Sequence, residues 1–157
     1  MKTEKRWMVS FVIITIVAIA GLFQNSDLTN AGEFLKEENI VGADVAWILA
    51  AAGLVLLMTP GLSFFYGGMV GSKNVISTML QSFIALGVIS MLWVVVGFSL
   101  SFGESIGFSA DGIHYGLIGN PLTYAFFNGV GTLPHQSMAS TIPFVLFALF
   151  QMKFAVI

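Results

Sequence analysis

The chain has 157 residues, of which 57% are hydrophobic and 9% charged, with a formal net charge of −2. Soluble proteins carry about a quarter charged residues, so this composition excludes a core wrapped in a polar shell and indicates a helical membrane protein of several spans. The long uncharged runs exclude a β-barrel's short alternating segments, the lack of any large basic cluster argues against a nucleic-acid partner, and the absence of cysteine rules out disulfides and thiolate metal sites.

Residues 1–20 open with Lys2, Lys5 and Arg6, then an apolar run from Trp7 to Phe23 that contains Ala18-Ile-Ala20 before Gly21. A basic segment, a short apolar segment and a small-x-small site together describe a secretory signal peptide. An uncleaved first span is the other reading, since the apolar run is only just long enough to cross. Residues 21–44 are polar and acidic, with Asp27, Glu33, Glu37 and Glu38 against Lys36, and are expected to form an extracytoplasmic lead-in.

The first span of the mature chain is expected over about 45–70, bracketed by Asp44 and Lys73, with Trp47 in the outer interfacial belt. A short turn at Ser72-Lys73-Asn74 leads into a second uncharged run, about 75–102, so the two helices must be antiparallel neighbours. Ser77, Thr78, Gln81, Ser82, Ser90, Ser99 and Ser101 on that second helix are expected to face other helices or a cavity, most of them simply hydrogen-bonding between helices.

Residues 104–140 carry Glu104 and Asp111 but no Lys or Arg, and their Gly, Asn-Pro and Leu-Pro signals predict an irregular loop with at most one short helix. Within it, Pro121–Phe127 is apolar enough to dip onto the membrane surface, and His114 and His135 are expected to be solvated. A third apolar run, 141–157, ends without a flanking charge or cap, as an incomplete span of a longer chain would. The cations fall on alternate sides under the positive-inside rule. The basic N-terminus and Lys73 are then cytoplasmic, and the mature N-terminus and the 104–140 loop extracytoplasmic. The expected location is the cell membrane, with several passes.

Pro60-Gly-Leu-Ser-Phe-Phe-Tyr-Gly-Gly-Met-Val-Gly-Ser-Lys-Asn74 is the most unusual stretch. Pro60 removes an N–H and its ring crowds the Leu56 carbonyl, so a bend is expected there. Ser63, Gly67 and Gly71 recur every four residues, as small residues do where membrane helices approach closely.

That stretch resembles the end of the first helix in the ammonium transporter family. Leu92-Trp-Val-Val-Val-Gly-Phe-Ser-Leu-Ser-Phe-Gly103 is similar to the family's second helix, and Phe150-Gln-Met-Lys-Phe-Ala-Val-Ile157 to the start of its third. The resemblance spans 45–157 and implies an all-α integral membrane protein. On this basis the chain is the N-terminal three spans of an eleven-helix bundle, assembled as a homotrimer, with ammonium or ammonia as its substrate and a PII-type cytoplasmic regulator as a partner.

The same resemblance assigns site residues. Phe150 matches the aromatic that recruits ammonium at the outer mouth, and Phe154 one of two phenylalanines that close the pore. Phe65 and Tyr66 match paired aromatics that flank the pore or serve structure. Aromatic faces attract a compact cation by ~0.5–2 kcal/mol, far short of the cost of carrying a bare ion through ~30 Å of apolar pore. Passage of neutral ammonia, with the proton handled separately, follows. Phe147, Phe150 and Phe154 share one helical stripe. No cofactor, metal or covalent catalysis is called for. A sensor, in which the same spans precede a cytoplasmic signalling domain, is the alternative.

Overall fold

The computed structural model describes residues 34–110 and 113–157, together with Val12 and Ile16. The signal-peptide stretch, apart from those two positions, and the lead-in up to residue 33 lie outside the described residues. Among the described residues the fold has α-helices α1 (Gly42–Met69), α2 (Val75–Leu92), α3 (Phe98–Phe102) and α4 (Phe144–Val156), a β-hairpin of β1 (Ser105–Ala110) and β2 (Ile113–Gly119), and short helical turns at Glu37–Asn39 and Ala125–Phe127. A π-helical turn, Trp93–Gly97, joins α2 to α3 into one continuous helix. The architecture is mostly helical rather than all-α, because the hairpin occupies part of the expected irregular loop.

Among the described residues two helices, Gly42–Met69 and Val75–Phe102, are long and apolar enough to cross a membrane, while α4 is shorter, at 13 residues. At 1.5 Å per residue a 28-residue helix exceeds the hydrocarbon thickness of ~30 Å. Helix α1 runs on through Pro60. Large apolar side chains along both long helices face outward, Leu54 at 68%, Phe64 at 67% and Ile76 at 81% exposure. Water does not tolerate so continuous an apolar surface; lipid or further protein does.

The buried stripe of α1 consists of Ala52, Thr59, Ser63 and Gly67, all small. Ser63 Oγ donates to the Met79 carbonyl at 3.0 Å, and Gly67 lies against Met79 and Val75. Residues 63 with 79 and 67 with 75 pair symmetrically about the turn, which is the register of an antiparallel hairpin of helices. Gly71, the third member of the expected small-residue face, lies beyond the end of α1 and is exposed. The seam is therefore shorter than the four-residue repeat suggests.

Three hydroxyls of the second long helix bond within that helix rather than to another. Thr78, Ser90 and Ser101 donate to the carbonyls of Asn74, Leu86 and Gly97, each four residues back in the chain. A hydroxyl inside a helix always has this acceptor within reach. Ser99 departs from that pattern. Fully buried, it donates to the Asn120 carbonyl at 2.7 Å and accepts the Tyr124 N–H at 2.9 Å, which ties α3 to the loop after β2.

The hairpin is antiparallel, with pairs such as Phe108 and Tyr115 in register and an irregularity between Ile106 and Gly107. The Phe108 and Tyr115 rings stack at 5.2 Å. It closes onto the end of α3, where Asn120 N–H donates to the Glu104 carbonyl at 2.7 Å. At Gly119 a Cβ would collide with the carbonyls of Ser99 and Leu100, so only glycine lets the strand meet the helix end there. The segment 121–127 does not simply lie outward: Leu122 is 70% exposed, but Tyr124 and Ala125 turn inward and are buried.

The core sits at the end of the bundle where these parts converge. Trp93, Phe98, Tyr124, Ala139, Ile142, Phe144 and Ala148 form it. Phe98 is fully buried and packs on the rings of Trp93, Phe102, Tyr124, Phe127 and Phe144 at centroid distances from 5.2 to 5.8 Å. Every residue from Val75 to Leu92, by contrast, keeps some exposure. Burial begins at the π turn, where one extra residue per turn rotates the following side chains onto a new face.

Candidate functional site

Phe150 and Phe154 stand on α4, and what fixes that helix fixes them. The first N–H groups of a helix lack partners within it. In α4 those of Phe144 and Val145 donate to the Leu133 and Gly131 carbonyls at 3.2 and 2.9 Å. Pro143, with no N–H of its own, occupies the cap position. The loop thereby seats the helix without any side-chain cap.

The two rings meet edge to face, with centroids 5.2 Å apart. Phe150 is half-buried and Phe154 is 50% exposed. Phe147 does not continue their row. Its ring lies 5.1 Å from Phe102 and 6.1 Å from Phe144, partly buried against the aromatic core. The expected stripe of three thus divides into one ring packed against the core and a pair whose rings meet each other. Lys153, next to Phe154, turns its ammonium back to the Leu149 carbonyl at 3.3 Å. The polar head thereby finds an acceptor within its own helix.

Phe65 and Tyr66 form a separate edge-to-face pair on α1, 5.6 Å apart. Tyr66 lines a cleft of about 440 Å³ between α1, α2 and the end of α4, together with Thr59, Thr78, Gln81, Ser82 and Val156. A larger hollow of about 750 Å³ lies at the opposite end of the bundle, between Phe34–Glu37 and Phe127–Leu133.

His135 corrects the sequence reading most sharply. It is not solvated but 1% exposed. Its ring stacks on Phe144 at 4.7 Å and meets Phe34 edge-on at 5.4 Å. Tyr124 Oη and Ser137 Oγ lie 3.3 Å from its two ring nitrogens. Backbone bridges run from His135 to Phe34 and to Ala139, and the neighbouring Leu35 N–H donates to the Pro134 carbonyl at 2.8 Å. Residues from opposite ends of the chain bury it, which no local pattern could reveal. His114 stands in β2, opposite Ser109.

Trp93 is the second residue whose importance the sequence leaves hidden. Its indole Nε1–H donates to the Ala148 carbonyl at 3.1 Å, a buried bond that joins the π turn to α4.

Comparison with known proteins adds what this geometry cannot. The family model described as Ammonium Transporter Family matches residues 46–157. An ammonium transporter of Mycobacterium tuberculosis (strain ATCC 25618 / H37Rv) is 40% identical over 129 residues, covering 74% of this chain and 25% of that protein. One from Bacillus subtilis (strain 168) is 45% identical over 116 residues, covering 73% of this chain and 26% of that protein. One from Archaeoglobus fulgidus is 47% identical over 75 residues, covering 48% and 19% respectively. The chain spans about a quarter of the length of the first two.

Proposed function

This chain belongs to the ammonium transporter family, and on that premise we propose that it is the N-terminal part of a protein that conducts ammonium or ammonia across the cell membrane. The observation that carries the reading is the Phe150–Phe154 pair. Two rings in edge-to-face contact sit on the short apolar helix α4, Phe150 partly buried and Phe154 exposed, while Phe147 beside them packs against the aromatic core.

Physical chemistry says what such a pair can do. Ring faces attract a desolvated cation, so Phe150 holds ammonium at the outer mouth. Below it, Phe154 narrows an apolar path in which an ion would lose far more hydration energy than two rings return. The molecule that crosses is neutral ammonia, and its proton travels separately. Phe65 and Tyr66 flank the path or support it from α1.

In the complete protein, α4 is the outer part of a third span and the full subunit is an eleven-helix bundle assembled as a homotrimer. The mature N-terminus and the hairpin are extracytoplasmic, after a signal peptide over 1–20. Lys73 marks the cytoplasmic side, where a PII-type regulator would act. The two long apolar helices and their outward-facing Leu, Phe and Ile side chains support the membrane setting.

Phe154→Ala in the complete protein tests the assignment. Methylammonium uptake or ammonium-dependent current should change several-fold in rate or in discrimination against other monovalent cations. Uptake unchanged in both respects would remove Phe154 from the pore.

A further inference from the structure

Trp93 interrupts the regular winding of the second long helix. The π turn begins at this residue, and its ring is 8% exposed, packed against Phe98 and Phe102 at 5.8 and 6.3 Å. π-bulges inside α-helices occur frequently at functional sites, and they turn the side chains around them onto a new face. Here the indole N–H meets the Ala148 carbonyl, 55 residues further along the chain. A backbone carbonyl has two lone pairs, so one can serve the helix and the other the indole.

Ala148 is fully buried and lies in the middle of α4. At 3.6 residues per turn, Phe150 and Phe154 project roughly 200° and 240° around the helix from it. The indole therefore holds α4 from the side roughly opposite the two rings. The loop carbonyls of Leu133 and Gly131 hold only the first turn of α4; beyond it, this polar bond at a fixed atom sets the height and the rotation of a stretch that otherwise meets its neighbours through apolar side chains. Those could slide or roll at small cost; a buried hydrogen bond could not.

We propose that Trp93 is a positioning residue for transport: its hydrogen bond to Ala148 fixes the register of α4 and so the placement of Phe154 in the path. The proposal rests on the pore assignment of Phe154 and adds a residue that touches neither substrate nor pore.

The test is a double-mutant cycle in the full-length protein, read as methylammonium uptake per folded molecule. Trp93→Phe keeps an aromatic ring and removes the N–H. It should slow uptake by about tenfold, the effect of losing one buried hydrogen bond. In the Phe154→Ala background the same change should slow uptake by clearly less than it does in wild type, because of the two rings only Phe150 is left to misplace. A merely structural tryptophan would lower the melting temperature equally in both backgrounds and slow uptake in neither.

Replacement of the Trp93 indole by its benzothiophene analogue, which keeps the shape and lacks the N–H, should reproduce Trp93→Phe. It also carries the test if that variant does not accumulate. Full uptake by the analogue, or a Trp93→Phe effect that persists undiminished without Phe154, would overturn the proposal. Phe154→Ala with no effect of its own would instead sink the pore assignment, which separates the two failures.

Discussion

A Cβ placed on Gly67 would stand 2.9 Å from Cγ of Met79 and 3.2 Å from its sulfur, so the first two helices touch backbone to side chain. With no hydrophobic drive between helices in lipid, such close approach is what holds them together. Gly67→Ala forces Met79 to another rotamer and should cost about 1 kcal/mol, since methionine adapts. Gly67→Val adds branches that cannot be accommodated so easily and should cost about 2–3 kcal/mol. Melting curves of the detergent-purified full-length protein would show the order Gly, Ala, Val. Equal melting of all three would mean that the helices do not meet here.

Two serines on the second long helix should differ sharply on removal. Ser90 bonds the Leu86 carbonyl of its own helix, which retains its helical partner without it, so Ser90→Ala should change stability by less than about 0.5 kcal/mol. Ser99 is buried and joins Asn120 to the Tyr124 N–H. Ser99→Ala takes away an acceptor and a donor at once and should cost about 1–3 kcal/mol. The same melting measurement separates them, and Ser99→Ala should in addition make the hairpin loop more accessible to protease.

His135 should behave as a packing residue. His135→Ala opens a hole between Phe34, Tyr124 and Phe144, and by comparison with other large-to-small core changes should cost about 2–4 kcal/mol. His135→Phe keeps the stack on Phe144 while giving up the contacts with Tyr124 and Ser137, and should fall between wild type and alanine. Hydrogen exchange should rise at Leu35, whose N–H is held by Pro134. A His135→Ala protein that melts like wild type would show that the lead-in is seated by other contacts.

Burial of this kind explains what the sequence could and could not disclose. The two long helices are legible because absence of charge over a long run is a local property. So is the likeness carried by Pro60–Asn74. The hairpin left a weaker trace: Ile106 and Phe108, then Tyr115 and Leu117, alternate on either side of Asp111-Gly112, a dipeptide suited to a tight turn. Its many glycines masked that alternation. His135 and Trp93 left none, because Phe34 and Ala148, the residues that give them meaning, lie about a hundred and 55 positions away. The polar residues of α2 misled for a different reason. Polarity on a membrane helix shows that a hydroxyl needs an acceptor, but not whether that acceptor lies in another helix or one turn back.

Gly97 closes the π turn and offers a last measurement. A Cβ there would lie 3.2 Å from Cε3 of Trp93 and 3.3 Å from the Leu92 carbonyl. These contacts are tight on one side against an aromatic ring and on the other against backbone, and neither moves as freely as a methionine. Gly97→Ala should therefore be less well tolerated than Gly67→Ala, although alanine is the better helix former by roughly 1 kcal/mol. If the added methyl is relieved by tilting the indole, the bond to Ala148 weakens and the tryptophan emission shifts, while the melting temperature falls only slightly. If it is relieved by unwinding the π turn into regular α-helix, Phe98 and Ser99 rotate off the core and stability drops by several kcal/mol, as loss of a fully buried phenylalanine requires. Emission and melting of Gly97→Ala, read together, thus decide whether the ring or the backbone is the stiffer partner. An increase in melting temperature would show that neither contact is close, and that helix propensity alone governs the position.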